Sequence, residues 1–455
     1  MNRENYKIIN FILFISITLL FGIGAIMYTP VLFVYYSGVI ATILIIKNNN
    51  KDRKQFIDTL LIFLSTLFFG FLLAFAVNAD FINEGTTFRY PDQMHFFESS
   101  EILGHQSSIR EIINYTYSNF SQYHIVYILF GILSYLDVQV GGSVNFLPLL
   151  VHVAYVTALI PVFLYHILKL FVPRKTALYG VLYYGILTSI MSYSGYFLRD
   201  NHISLLTIIA LFWMVRNVTL KRILLISLLI PIVASMRLSN SLLILAMLSI
   251  FIFSGNTSKI LRFSFISIGI VLLIIFSGRL IDVISSTGDR LDNYVEFTSN
   301  IVSEKGGASL WLHSLPPIIK ETGIFVSALF PFPFGGGYQN ATTLSQYVMV
   351  TYDTITEIGW YIIFVGLIFF AKSIYIKVKH MPNKILLALV LLFILYMYAN
   401  TTNMVIRRVT CVIPFIYIPF LIVYNEASNT TKYRYKRIAL GSALFLVVLS
   451  VFIYI

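Results

Sequence analysis

Apolar residues run through this chain in long blocks instead of alternating with polar ones. The blocks "IINFILFISITLLFGIGAIM" (8–27) and "LLIFLSTLFFGFLLAFAV" (60–77) are typical. Each is roughly 20 residues long, enough for a helix to cross a ~30 Å hydrocarbon layer. A chain in lipid must satisfy its backbone internally, and uninterrupted blocks without period-two alternation mean helices and not a barrel. The pattern predicts an all-α polytopic membrane protein. Its expected helices span about 8–27, 30–46, 57–77, 145–171, 176–195, 203–216, 221–236, 240–254, 259–277, 355–373, 384–400, 409–424 and 437–455.

The polar interruptions set the expected topology. Basic loops cluster at "KNNNKDRKQ" (47–55), "KLFVPRK" (169–175), "RNVTLKR" (216–222), "KSIYIKVKHMPNK" (372–384) and "KYRYKR" (432–437). Cytoplasmic loops carry excess Lys and Arg, so all five are expected inside. Thirteen crossings satisfy that pattern with a cytoplasmic N-terminus and an outer C-terminus. "HIVYILFGILSYL" (124–136) is short for a span and, if it crossed, would turn "VPRK" outward; it is expected as a helix on the outer surface. Four regions result: two N-terminal helices (1–56), a membrane core (57–277) with a long outer loop at 78–144, a second outer loop at 278–354 read as a lid or substrate guide, and C-terminal helices (355–455).

Composition narrows the class. Only 11% of the 455 residues are charged, mean hydropathy is +0.82 and 58% of residues are hydrophobic, whereas soluble domains carry about 25% charge. A net charge of +12 would suggest nucleic acid in a soluble protein; here the cations sit in short loops as a topology signal, so no nucleic-acid partner is expected. One cysteine, Cys411, permits neither an internal disulfide nor a cysteine metal cluster, and its apolar setting reads as core. The first apolar run is too long for a signal peptide and lacks a cleavage pattern.

Ionisable residues near membrane depth are costly and mark candidate sites. Four clusters fall on the expected outer side. In "FRYPDQMHFFESSEI" (88–102), Asp92 suits a general base, with Tyr90 and His95 as neighbours; the plain alternative is a solvated acidic loop. Glu98 and Glu101 read as the wet face of a short helix. In "YSGYFLRDNHISLL" (193–206), Arg199, Asp200 and His202 form an outer turn, where Asp200 or Asn201 could equally cap a helix. Arg237 in "ASMRLSNS" (234–241) ends a helix, either snorkelling to the interface or binding an anion. Arg407 and Arg408 in "NTTNMVIRRVT" (400–410) are unusual outside, and arginine forks fit phosphate as well as lipid headgroups. There is no Walker loop, GxGxxG, HExxH or serine elbow, and "GGG" at 335–337 lacks the context of a phosphate loop.

The order of these features resembles the GT-C class of polyprenyl-phosphate-sugar-dependent glycosyltransferases, such as the protein mannosyltransferase-like and aminoarabinose transferase-like membrane enzymes. The residues that carry the resemblance are "YPDQMHFFESSEI", the apolar helix "YHIVYILFGILSYLDV", the long helix from "VNFLPLLVHV" and the Arg-Asp turn at 199–200. It covers roughly 57–250; beyond that only "MVIRRVTCVIPFIYIPFLIVY" is similar. The resemblance implies that Asp92 is the first-loop catalytic carboxylate, that Asp200 lies near the donor or a bound divalent cation, and that Arg407 or Arg408 holds the lipid-linked phosphate, with Arg199 and Arg237 as further donor-phosphate candidates. It implies a polyprenyl-phosphate-linked sugar donor, a lipid, glycan or protein acceptor, and membrane lipids as the surrounding partner. No certain cofactor is implied. The expected location is a bacterial inner (cytoplasmic) membrane with the site on its outer face. Gln93 stands where some members have a second acidic residue, two helices precede the usual first one, and there is no large soluble C-terminal domain. An O-antigen or capsule repeat-unit polymerase would use the same outer charges, and a lipid-linked sugar flippase is a third reading.

Overall fold

The computed structural model describes residues 3–50, 52–84, 91–120, 123–216, 219–254, 315–330, 334–335, 341–380, 384–399 and 409–454, with residues 259, 262, 263 and 338. Among them the regular structure is helical: α1 (Arg3–Met27), α2 (Leu32–Asn49), α3 (Arg53–Glu84), α4 (Pro91–Gly104), α5 (Ile109–Asn119), α6 (His124–Gly141), α7 (Phe146–Leu168), α8 (Arg174–Leu187), α9 (Ser189–Ser192) with a 3-10 turn at Tyr193–Gly195, α10 (Asp200–Met214), α11 (Leu220–Met236), α12 (Leu238–Ser254), α13 (Pro317–Leu329), α14 (Leu344–Phe369), α15 (Ala371–His380), α16 (Ile385–Ala399), α17 (Ile413–Glu426) and α18 (Asn429–Tyr454). Seven helices are long and apolar enough to cross a membrane: α1, α2, α3, α6, α7, α14 and α18. The chain is a multi-pass helical membrane protein.

Several boundaries differ from those expected, each for a local reason. The third helix was expected over 57–77 and runs Arg53–Glu84. The helix expected at 355–373 begins at Leu344, because Thr343 accepts a hydrogen bond from the Gln346 amide and starts it eleven residues earlier, inside the expected second loop. Within the expected outer loop at 78–144, Pro91 and Asp92 open α4. Proline suits a first helical turn, and an acidic residue there complements the helix dipole. The surface helix expected at 124–136 extends to Gly141, whose successor Gly142 ends it at φ 76°. The extension holds because buried Asp137 accepts from the Thr29 hydroxyl and the Asn145 amide. At 18 residues α6 reaches spanning length. The helix expected at 259–277 lies outside the described residues apart from three positions.

Partners across the bundle define two ends. At one, Asp58 below α2–α3 meets Arg174 of α7–α8, Thr176 meets Asn425, and Lys377 meets Glu426; the expected basic loops gather there. At the other lie the α1–α2 turn, the start of α7, the α9–α10 link and the α11–α12 junction. Both halves of α6 contact this second end: its C-terminal part through Thr29 and Asn145, its N-terminal part through Phe96, Phe197 and Arg199. With α4 and α5, which pack against it, it forms one unit, the cap.

The core is close-packed around α3, α7 and α8. A Cβ on Gly70 would approach that of Ala154 to 3.1 Å, and one on Gly359 would fall 1.9 Å from the Leu187 carbonyl oxygen. Small residues at helix crossings let backbones meet in lipid, where packing and not water drives association.

Candidate functional site

Between α9 and α10 the chain leaves helical geometry for Tyr196–Leu198 yet stays buried. Polar bonds on three sides pin this link. Asn201 donates to the Thr157 hydroxyl (2.6 Å), His202 Nε2 meets His152 Nε2 (2.9 Å), and Ser204 meets Thr410 (3.1 Å). Thr157 lies about 16 Å along α7 from its start at ~1.5 Å per residue. The Arg-Asp pair is therefore recessed within the bundle and not held on its surface. Asp200 stands in the first turn of α10, where it complements the helix dipole; the residue preceding α10 is Arg199, with no side-chain capping bond, and the Asn201 amide is spent on Thr157.

Arg199 is the centre of the recess. It is 7% exposed, and its guanidinium carbon lies 3.7 Å from the centroid of Tyr123 and 5.6 Å from that of Phe96. Its Nε and Nη1 have no hydrogen-bond partner among the described residues. Burial, with the Arg237 cation acting in the same sense, pulls its pKa below the usual arginine value. Asp92, half-buried on the first turn of α4, opposes this: its negative charge acts on Arg199 from the cap. Tyr123 carries φ 64°, a left-handed backbone that costs a non-glycine residue roughly 1–2 kcal/mol. Such strain collects where a side chain must be aimed, and here it lays an aromatic face on a buried cation.

Asp200 and Arg237 are engaged with each other at 2.8 Å, joining α10 to the α11–α12 junction. Below them Asn240 donates to the Tyr396 hydroxyl (2.9 Å) and to Cys411 Sγ (3.4 Å), and Cys411 is a buried thiol in the core. The geometry thus commits Arg237 to a carboxylate, whereas Nε and Nη1 of Arg199 have no partner among the described residues. His202 takes part through His152, and His95 Nε2 lies 2.8 Å from the Tyr127 hydroxyl on the cap. Glu98 and Glu101 are exposed on α4, as expected. Tyr90, Arg407 and Arg408 lie outside the described residues. Among the described residues no three of His, Cys, Asp and Glu come together as a metal-binding group.

Six participants escaped sequence reasoning. Tyr123 and His152 gave no local signal. Tyr196 donates to Asp353 Oδ2 (2.9 Å), which brings a carboxylate of α14 to the link; Asp353 interrupts an apolar segment and could have been found by the cost of a charge in lipid. Asp80, near the end of α3, accepts from Thr343 (2.6 Å), and Asn78 beside it is fully buried with neither amide atom bonded to a described residue. The buried link therefore carries a cation at Arg199 with the Asp92 charge acting on it, and meets the Asp353 carboxylate at Tyr196. No known family model matches the chain, and no curated protein sequence is significantly similar to it.

Proposed function

We propose that this protein is an integral membrane glycosyltransferase that moves a sugar from a polyprenyl-phosphate donor to an acceptor at the outer membrane face. The observation that carries this reading is Arg199: a desolvated guanidinium with two unbonded donor groups, stacked on Tyr123 and opposed by a carboxylate. A buried cation with spare donors is costly unless an anion completes it. A phosphate group is the anion that arginine's fork matches best.

In this proposal the acceptor oxygen attacks the anomeric carbon and the bond from that carbon to the phosphate oxygen breaks. The phosphate leaves with the electron pair and keeps its lipid tail. Asp92 takes the acceptor's proton, and Arg199 stabilises the charge that develops on the leaving phosphate. Asp200 and Arg237 hold the α10 start in position, and the cap of α4–α6 limits water. A single displacement inverts the anomeric centre. Arg407 and Arg408, which follow α16 in sequence, are further donor-phosphate candidates.

The same reading takes the end rich in basic loops as cytoplasmic and the recess end as outer. Thirteen crossings then follow if α1–α3, α7, α8 with α9, α10–α12, α14, α16–α18 and the segment 259–277 all span, with α6 on the outer surface.

The test is release of polyprenyl phosphate from a panel of short-chain polyprenyl-phosphate sugars by the purified protein in liposomes. Asp92→Asn should lower release by about 10³-fold, within the range for loss of a general base, with an unchanged elution profile. Near-normal turnover would sink the assignment. A product that grows by repeat units would instead mark a polymerase, and transport without release a flippase.

A further inference from the structure

At the end of the bundle opposite the recess, α1, α2 and α3 leave a groove of about 370 Å³. Its walls are apolar, with Phe14 from α1, Ile43 from α2, and Phe56 and Leu60 from α3. Its rim carries two cations, Lys7 and Arg53. The placement is regular: Lys7, Asn10 and Phe14 on α1 repeat the spacing of Arg53, Phe56 and Leu60 on α3, so each helix presents a charge above an apolar stripe. Both helices begin at this end, and the positive ends of their dipoles flank the mouth.

Two observations point to a ligand. Arg53 makes no ion pair among the described residues, and the one partner of Lys7 is exposed Glu4 at 2.6 Å. Asn10, only 6% exposed and lining the groove, donates through Nδ2 to the Ile57 carbonyl (3.0 Å), while its buried Oδ1 accepts nothing from the described residues. The ligand that fits has an anionic group for Lys7 and Arg53, a hydrogen-bond donor for Asn10 Oδ1, and an apolar tail for the trough.

We propose that this groove binds one anionic phospholipid with a hydroxylated headgroup, its phosphate at Lys7 and Arg53 and an acyl chain between α1 and α3. The site is independent of the recess and of the reaction assigned to it. A lipid held there bridges α1 and α2 to the core helix α3.

Native mass spectrometry of the full-length protein, released from detergent after exposure to equimolar phosphatidylglycerol and phosphatidylcholine, tests this. The expected result is one retained phosphatidylglycerol per chain. Lys7→Ala with Arg53→Ala should lower that retention about 30-fold, since each basic residue contributes on the order of 1 kcal/mol toward an anionic lipid surface. Both positions reach solvent, so the double variant keeps the fold. Leu60→Trp, which fills the trough and leaves both cations, should lower retention as well. Equal retention of phosphatidylcholine, or undiminished retention in the double variant, would overturn the proposal. Displacement of the lipid by millimolar glycerol 3-phosphate would show that the tail is not needed and would overturn it too.

Discussion

Two arginine–aspartate centres sit at opposite ends of this bundle, and they differ in how completely they are satisfied. At the basic end, fully buried Asp58 accepts from Tyr165 (2.7 Å), from Arg174 Nη2 (2.6 Å) and from Arg174 Nε, while Arg174 also reaches the Lys54 carbonyl (3.2 Å). The hydrogen bond to Asp58 raises the pKa of Arg174. At the other end burial lowers that of Arg199, which keeps two unbonded donor groups beside a strained tyrosine. Charges of the same types do different jobs. A closed network locks α3 to α7 and α8, whereas an open one waits for an anion.

The largest effect expected from this contrast is on stability at the closed centre. Asp58→Ala leaves a partly buried guanidinium and the Tyr165 hydroxyl without their partner. Removing one member of a buried pair costs about 3–5 kcal/mol. The low end applies, because the Arg174 side chain is 37% exposed and water replaces part of what is lost. Thermal unfolding in detergent should shift clearly downward. An unchanged midpoint would remove the distinction between the two ends.

Arg199→Met is the converse experiment, with a somewhat smaller expected effect. The protein loses a desolvated cation and no bonded partner of its Nε or Nη1, so its midpoint should hold or rise. Added polyprenyl phosphate should raise the wild-type midpoint and not that of the variant. Charge-assisted hydrogen bonds contribute about 1.5–3 kcal/mol, so affinity should fall by about 10- to 100-fold. If the variant is destabilised like Asp58→Ala and binds the lipid phosphate normally, Arg199 is a structural residue and the proposed function loses its support.

How far this contrast can be read from sequence depends on the range of the interaction. Helix order and the gathering of basic loops at one end follow from local runs and loop charge, and both are found among the described residues. The Arg199–Asp200 turn was visible as a costly cluster. Its internal division was not, because the partner of Asp200 is Arg237, on another helix junction, and the ring under Arg199 belongs to Tyr123 on the cap. Adjacent charges in sequence suggest a pair; packing gave each a different neighbour. Asp353 was missed for a boundary reason. With α14 expected to begin at 355, the residue fell in a loop, whereas Thr343 starts the helix early and carries Asp353 to Tyr196.

The smallest predicted effect concerns the cap that holds Tyr123 over Arg199. Helix α5 opens with Ser108 accepting from the Glu111 amide, while the Glu111 carboxylate reaches back to the Ser107 hydroxyl (2.7 Å) and amide (3.2 Å). The hydrogen bonds from Ser107, side chain first, lower the Glu111 pKa from its usual value. A carboxylate whose pKa is lowered by folding contributes stability above its unfolded pKa, and loses it as pH falls through the lower folded value. Amide exchange in α5, corrected for intrinsic rates, should therefore gain on the rest of the bundle below about pH 4. Glu111→Gln should show weaker α5 protection at neutral pH and no further loss on acidification through that range. The closed centre at Asp58 should not follow, since it lies at the opposite end of the bundle, held by Tyr165 and Arg174. If exchange at Asp58 and in α5 rises together, the cap and the bundle open as one unit, and the recess cannot admit a ligand by movement of α4–α6 alone.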